Sequence, residues 1–215
     1  MIYLLWPTIR PNMMQSTHEI WHRNSKNKNY KLLIAVNNQS QKDAIHIKNA
    51  EIIISGETRG VTHACNELTK NIEPEDNDII VLTSDDMYAP QNWDAWLERT
   101  LKGKHGALLV NDGYISQDSM TIPIMTGSCF KSLNKIIYHP SYIHQYSDTE
   151  LYHNLKNLDL LINARKESPV FEHKNWANNK RNADNYDQYY IQMVSQDANN
   201  WSARSSMPIE ERLKL

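Results

Sequence analysis

What most constrains this chain is a recurring pattern: short, unbroken apolar runs at residues 2–6, 32–36, 52–54, 79–82 and 107–110, each followed by a stretch compatible with a helix. Such runs, rich in Ile, Val and Leu and without polar alternation, suit strands covered on both faces, as in a parallel sheet. Helical spacing marks 13–21, 42–48, 61–70 and 93–101, with Asn92 placed to cap the last. The order is βαβαβαβαβ. It predicts an α/β fold, a mostly parallel central sheet flanked by helices, with a binding crevice beyond the carboxyl ends of the strands. Polar clusters fall at those ends, at 7–10, 37–40, 56–60, 84–87 and 111–113.

After Gly113 the rhythm changes. A strand-like run at 121–125 leads into Thr126-Gly127-Ser128, an aromatic and His-rich segment at 138–146 precedes a helix over 149–161, and another strand-like run ends at 170–173. Residues 174–187 are basic, rich in amides and poor in aliphatics, which reads as a loop or lid, and 186–201 can form an amphipathic helix. At 215 residues the expectation is a single domain over 1–215. Its first half is 1–113 and its second 114–175, followed by a loop and C-terminal helix over 174–215.

Composition removes several function classes. Lys and Arg number 23 against 25 Asp and Glu, a net charge of -2, which argues against holding nucleic acid by bulk positive charge. Two cysteines without paired spacing exclude a disulfide scaffold and a thiolate zinc site. No stretch reaches the ~20 apolar residues of a membrane span, so the expectation is a soluble cytoplasmic protein without membrane contact.

The sharpest local feature is the aliphatic run Ile79-Ile80-Val81-Leu82 followed by Thr83-Ser84-Asp85-Asp86-Met87. Adjacent carboxylates at a strand end can hold a hard divalent cation, which in turn neutralises a diphosphate; the same pair also suits a solvated turn or a helix cap. Upstream, Gly60 allows close backbone approach, and Arg59 suits a phosphate or the end of the preceding strand. The opening Trp6-Pro7-Thr8-Ile9-Arg10-Pro11 is a strand running into a proline-fixed turn. Trp93 and Trp96, one helical turn apart, read as core rather than as sugar-stacking residues.

Together, Pro7-Thr8, the helix Gly60-Val61-Thr62-His63-Ala64-Cys65-Asn66 and the acidic strand end resemble the GT-A fold glycosyltransferases, in particular the family 2-like group, over residues 2–175. The resemblance implies a Rossmann-like nucleotide-binding sheet and a metal-dependent transfer of sugar from a nucleoside diphosphate sugar donor to a hydroxyl acceptor. It places Thr8, Arg10 and Asn37 near the nucleotide, with Arg59 and Lys174 as further donor contacts. The family's Asp-x-Asp motif falls on Ser84-Asp85-Asp86, giving Asp86 as direct metal ligand and Asp85 near the ribose or sugar; the first acid is a serine here. His173 matches the late histidine that completes a Mn2+ or Mg2+ site. The family's acceptor-side acid matches Asp148 in Ser147-Asp148-Thr149-Glu150-Leu151, which implies a general base and an inverting reaction. Ser147-Asp148-Thr149-Glu150 also reads as a capping box, with Ser147 or Asp148 as cap. Thr126-Gly127-Ser128 is similar to the small-residue turn bordering the acceptor pocket and Asp112 ends the fifth strand facing the same crevice, both of which also suit a purely structural role, while Lys174, Lys180 and Arg181 suit either closure over the diphosphate or a solvated charge run.

Two other readings fit the same residues: a nucleotidyltransferase of similar fold, and a noncatalytic nucleotide-sugar-binding module, which Ser84 in place of the first acid favours. The acceptor stays open among a glycan, a small molecule and a modified nucleic acid base.

Overall fold

The structure, a computed structural model, describes residues 1–56, 60–114, 118–175, 180–185, 187 and 194–215. Strands β1 (Ile2–Pro7), β2 (Tyr30–Val36), β3 (Glu51–Ile54) and β4 (Ile79–Leu82) alternate with helices α1 (Pro11–Asn24), α2 (Gln39–Asp43) and α3 (Gly60–Thr69). Then follow β5 (Met87–Tyr88), α4 (Trp93–Leu101), β6 (Ala107–Leu109), β7 (Ile124–Thr126), α5 (Gly127–Ser132), α6 (Ser147–Asn157), β8 (Leu161–Asn163) and β9 (Glu172–His173). Near the end lie α7 (Val194–Ser205) and α8 (Ile209–Arg212).

Seven strands form one sheet in the order β3-β2-β1-β4-β7-β6-β8, while β5 and β9 make a separate two-stranded ribbon. The pairs among β1 to β4 are parallel, as is β6 with β8; β7 runs antiparallel to both neighbours. Along β1, Ile2, Leu4 and Trp6 bury into one core cluster and Leu5 into the other. This is why the runs show no polar alternation: both faces are covered. On the first face Trp21 of α1 meets Trp93 of α4 edge-on, ring centroids 4.9 Å apart, and on the second Leu68, Phe130 and Leu155 pack from α3, α5 and α6.

The expected mostly parallel α/β sheet with flanking helices is therefore the fold, and local differences have local causes. The helix expected at 42–48 falls at Gln39–Asp43, because the Asn38 side chain accepts from Gln41 N at 3.0 Å and starts it earlier. Asn92 does stand at the N-cap of α4, but in a left-handed conformation (φ 57°) with no side-chain cap bond. The helix expected to reach residue 161 stops at Asn157: Asp159 turns left-handed (φ 56°), and Leu161–Asn163 joins the sheet beside β6. Trp93 is fully buried, in the core as expected.

Candidate functional site

Because β1, β2 and β4 are parallel, their carboxyl ends open on one side of the sheet, and the loops there border a cleft of about 330 Å³. Thr8, Arg10, Asn37, Asp85, Asp86, Asp148 and His173 all line it, seven side chains singled out from the sequence and brought together by the fold. The first turn of α3 adds Gly60 and Val61. Gly60 is required: φ is +75°, and an added Cβ would lie 2.3 Å from the carbonyl oxygen of Ile143. The two loops therefore touch backbone to backbone, with Thr62 N donating to Ile143 O at 3.2 Å.

The adjacent carboxylates have different surroundings. Asp85 turns back toward β1, where Trp6 Nε1 donates to Oδ1 at 3.0 Å and Thr8 Oγ1 to Oδ2 at 2.9 Å. Burial pushes Asp85 up to about 7, against those two hydrogen bonds and the charge of Arg10. Asp86 faces the other way, with Ser84 Oγ donating to Oδ1 at 2.8 Å and His173 Nε2 lying 3.6 Å from the same oxygen. Burial alone would raise Asp86, but His173, Ser84 and Arg181 together hold it at about 2, so it is a carboxylate at neutral pH. Ser84, in the position before the two acids, is thus a hydrogen-bond donor to Asp86.

His173 reaches Asp86 through the ribbon. Met87 pairs with His173 and Tyr88 with Glu172, and Lys174 N donates to Asp86 O at 2.7 Å. His173 N in turn donates to Asp112 O at 3.1 Å. Imidazole and carboxylate at this separation fit a divalent cation, since ligands ~2.1 Å from an octahedral ion stand ~3 Å apart. Among the described residues no group of three or more His, Cys, Asp or Glu is placed to hold a metal ion. Two protein ligands suit a cation whose other positions are taken by phosphate oxygens and water, and a histidine beside a carboxylate admits Mn2+ as well as Mg2+.

Asp148, also lining the cleft, sits in the first turn of α6. Its Oδ1 accepts from Thr149 N at 2.8 Å and its Oδ2 from Ser119 Oγ at 2.5 Å. The capping box does not form. Tyr146 occupies the N-cap with φ 63°, and Glu150 instead accepts from Tyr142 OH at 2.6 Å and from Arg204 at 2.8 and 2.9 Å.

Other residues lie elsewhere. Arg59 lies outside the described residues. Lys174 sends its ammonium over the Tyr88 ring, 4.1 Å from the centroid, and does not line the cleft. Asp112 is occupied, accepting from Tyr114 N and Thr121 Oγ1. Thr126-Gly127-Ser128 lies at the other end of the strands from the cleft, because β7 runs antiparallel to β4 and Thr126 pairs with Ile79, at the start of the strand that ends before Asp85. Pro123, just before β7, borders the cleft instead.

One contributor has no signature in a sequence motif. Asp197 of α7 is wholly buried and accepts from the backbone N–H groups of Ile143, His144 and Gln145 at 3.0, 2.8 and 2.8 Å. It thereby fixes the segment that carries His144 and Gln145 into the cleft just ahead of Asp148. An acid within an amphipathic helix is the only local trace of it.

No protein-family model matches the chain, and a search of the curated proteins finds no match. Solved structures do resemble it in fold. A mannosyltransferase from Pyrobaculum calidifontis, in complex with GDP-Man and Mn2+, matches at TM-score 0.61 and 13% identity over 81% of this chain and 57% of its own. The chain thus spans little more than half of that protein. S. aureus TarS in complex with UDP matches at 0.59 and 10% identity over 98% of this chain and 76% of its own. A CMP:2-keto-3-deoxy-manno-octonic acid synthetase complexed with CTP matches at 0.52 and 10% identity over 83% of this chain and 96% of its own. The fold is that of the GT-A glycosyltransferases, as the sequence resemblance implied. Among the described residues, no helix is long and apolar enough to cross a membrane.

Proposed function

We propose that the chain is a metal-dependent glycosyltransferase that moves a sugar from a nucleoside diphosphate sugar to a hydroxyl acceptor with inversion. The observation that carries this reading is the meeting, in one cleft, of the Asp86–His173 pair with Asp148. Residues 1–113 would supply the donor half and 114–175 the acceptor half, with 174–215 closing the domain.

Asp86 and His173 would hold Mn2+ or Mg2+, which would supply charge neutralisation for the diphosphate as a leaving group. Thr8, Arg10 and Asn37 would contact the nucleotide from the loops after β1 and β2, joined by Arg59. Asp85 would act chiefly by orienting Thr8, whose hydroxyl it holds. Lys174 would have to leave the Tyr88 ring to meet the diphosphate. Asp148 would take the proton of the acceptor hydroxyl as that oxygen attacks the anomeric carbon. The carbon–oxygen bond to the diphosphate breaks, and the nucleoside diphosphate departs with the electron pair. Such general-base assistance is worth on the order of 10²- to 10⁴-fold. The acceptor would be a glycan, a small molecule or a modified nucleic acid base.

The likeness to a CTP-bound synthetase favours a second reading, nucleotidyl transfer by the same carboxylates with attack at phosphorus. Incubating the protein and Mn2+ with nucleotide sugars, and separately with nucleoside triphosphates and free sugars, decides between them. Release of nucleoside diphosphate from a nucleotide sugar supports glycosyl transfer; release of pyrophosphate from a triphosphate would replace it with the second reading.

A further inference from the structure

The guanidinium groups of the cleft are engaged by acids of the chain itself. Arg10 makes a two-pronged contact with Asp184, Nε to Oδ2 at 2.7 Å and Nη2 to Oδ1 at 2.9 Å, and its Nη2 also donates to Asp187 Oδ1 at 2.9 Å. Arg181 grips the same Asp187 with both terminal nitrogens, at 2.6 and 2.8 Å. The two acids brace each other: Asp184 N donates to Asp187 Oδ2 at 2.9 Å, and Asp187 N to Asp184 Oδ1 at 3.0 Å. This unit stands beside the candidate cation ligand. Arg181 Nε is buried without a hydrogen-bond partner among the described residues, and lies 3.6 Å from Asp86 Oδ2.

The arrangement has the form of a bound ligand. Two anionic groups, fixed relative to each other, present oxygens to two forked guanidinium groups next to Asp86 and His173. Guanidinium forks bind phosphate oxygens with the same bidentate geometry as carboxylates. Asp187 also brings a further buried carboxylate into a cleft that already holds Asp85, Asp86 and Asp148. That crowding is tolerable only while Arg10 and Arg181 neutralise it. Arg10 and Arg181 are also the Lys or Arg side chains that line the cleft among the described residues, so a diphosphate entering it must compete for them.

We propose that Asp184 and Asp187 are internal surrogate anions, and that a nucleoside diphosphate binds by exchanging its phosphate oxygens for their carboxylates on Arg10 and Arg181. The proposal rests on the nucleotide-donor reading above and adds a controlled step to it. No covalent bond changes; carboxylates leave the guanidinium groups and phosphate oxygens take their place. The apparent affinity is then the intrinsic affinity multiplied by the fraction of molecules in which the arginines are released. Weakening the acids raises that fraction.

Calorimetric titration of the full chain with UDP, GDP, CDP and ADP in Mn2+ tests this. Asp184→Asn, at the rim where its side chain is 40% exposed, should bind the preferred nucleotide on the order of tenfold more tightly than the unaltered protein. Equal or weaker binding overturns the proposal. A general charge effect is separated by a double-mutant cycle, because in an Arg10→Gln background the gain from Asp184→Asn should vanish. A gain of the same size there also overturns the proposal, since the acid would then act at a distance. Asp187→Asn, whose acid is more deeply held, should give a larger gain if it folds, and Asp184→Asn decides the matter if it does not. Absence of nucleotide binding in every protein, Asp184→Asn included, sinks the donor reading itself, whereas binding without the gain sinks only the exchange.

Discussion

The cleft wall formed by the loops after β1, β2 and β4 is held by strands packed among aliphatic side chains, whereas a second stretch of the lining, residues 138–150, is pinned in addition by buried charge. In the first, Leu4, Leu33, Ile80 and Val81 are buried beneath the loops, and the loops go where the strands end. In the second, Asp197 gathers three backbone N–H groups and Glu150 ties α6 to Arg204 of α7. Apolar burial is non-directional and tolerant, while a buried carboxylate fixes a loop at particular atoms but fails if one partner is lost. The wall assigned to the donor is therefore robust in its scaffold, and the stretch carrying the proposed base depends on a few contacts.

The largest expected effect tests the robust wall at its chemical tip. Asp86→Ala and His173→Ala should each weaken Mn2+-dependent nucleoside diphosphate binding by at least on the order of 100-fold, above the 10- to 100-fold typical of outer-sphere changes. A chelator should do the same, and undiminished calorimetric binding in chelator would remove the metal from the proposal. Asp94→Ala makes the contrast: Asp94 holds Ser25, Lys26 N and Asn27 N away from the cleft, so stability should fall while nucleotide affinity stays.

Next comes the second stretch. Asp148→Asn should keep nucleotide affinity but lower turnover on an identified acceptor by on the order of 10²-fold, since an amide cannot take the hydroxyl proton. Near-normal turnover would end both the base assignment and the inverting mechanism. Glu150 could not replace it, being enclosed by Tyr142 and Arg204. Asp197→Ala should lower stability by about 3 kcal/mol in urea unfolding, because buried N–H groups lose their acceptor. A loss below ~1 kcal/mol would mean that this stretch is held by packing after all, and the contrast between the two would collapse.

The smallest effect belongs to the first wall and runs through pH. Burial, aided by the charge of His22, pushes His18 down to about 4 from its usual 6.5. Between those values the unfolded chain binds a proton that the folded chain refuses, so this contribution to stability is intact above about 6.5 and lost as pH falls toward 4. His18→Gln should flatten the thermal midpoint across that window, and an unchanged slope would place the acid sensitivity elsewhere.

The same contrast explains what the sequence could reveal. Unbroken runs such as 32–36 and 79–82 announce strands covered on both faces, and the parallel order then carries Thr8, Asn37 and Asp86 to one edge without further information. Strand direction is not written in an apolar run, so β7 was free to run antiparallel and take Thr126 to the wrong edge for an acceptor pocket. Asp197, Arg204 and Asp184 stayed hidden because the groups that tie them to the cleft, the backbone N–H groups of 143–145, Glu150 and Arg10, lie more than 50 residues away. No local periodicity encodes such a pairing. Ser147-Asp148-Thr149-Glu150 satisfied a local rule that Arg204 overrode.

The two-residue ribbon of β5 and β9 has a consequence for how this chain can vary. His173 meets Asp86 because it pairs with Met87, and side chains on a strand alternate between faces. Adding or deleting one residue between β8 and β9 would keep every candidate ligand in the sequence yet turn His173 to the opposite side and put a neighbour in its place. Length between residues 164 and 171 should therefore be less free to drift than residue identity there, and a one-residue insertion should resemble His173→Ala more closely than it resembles an ordinary loop change.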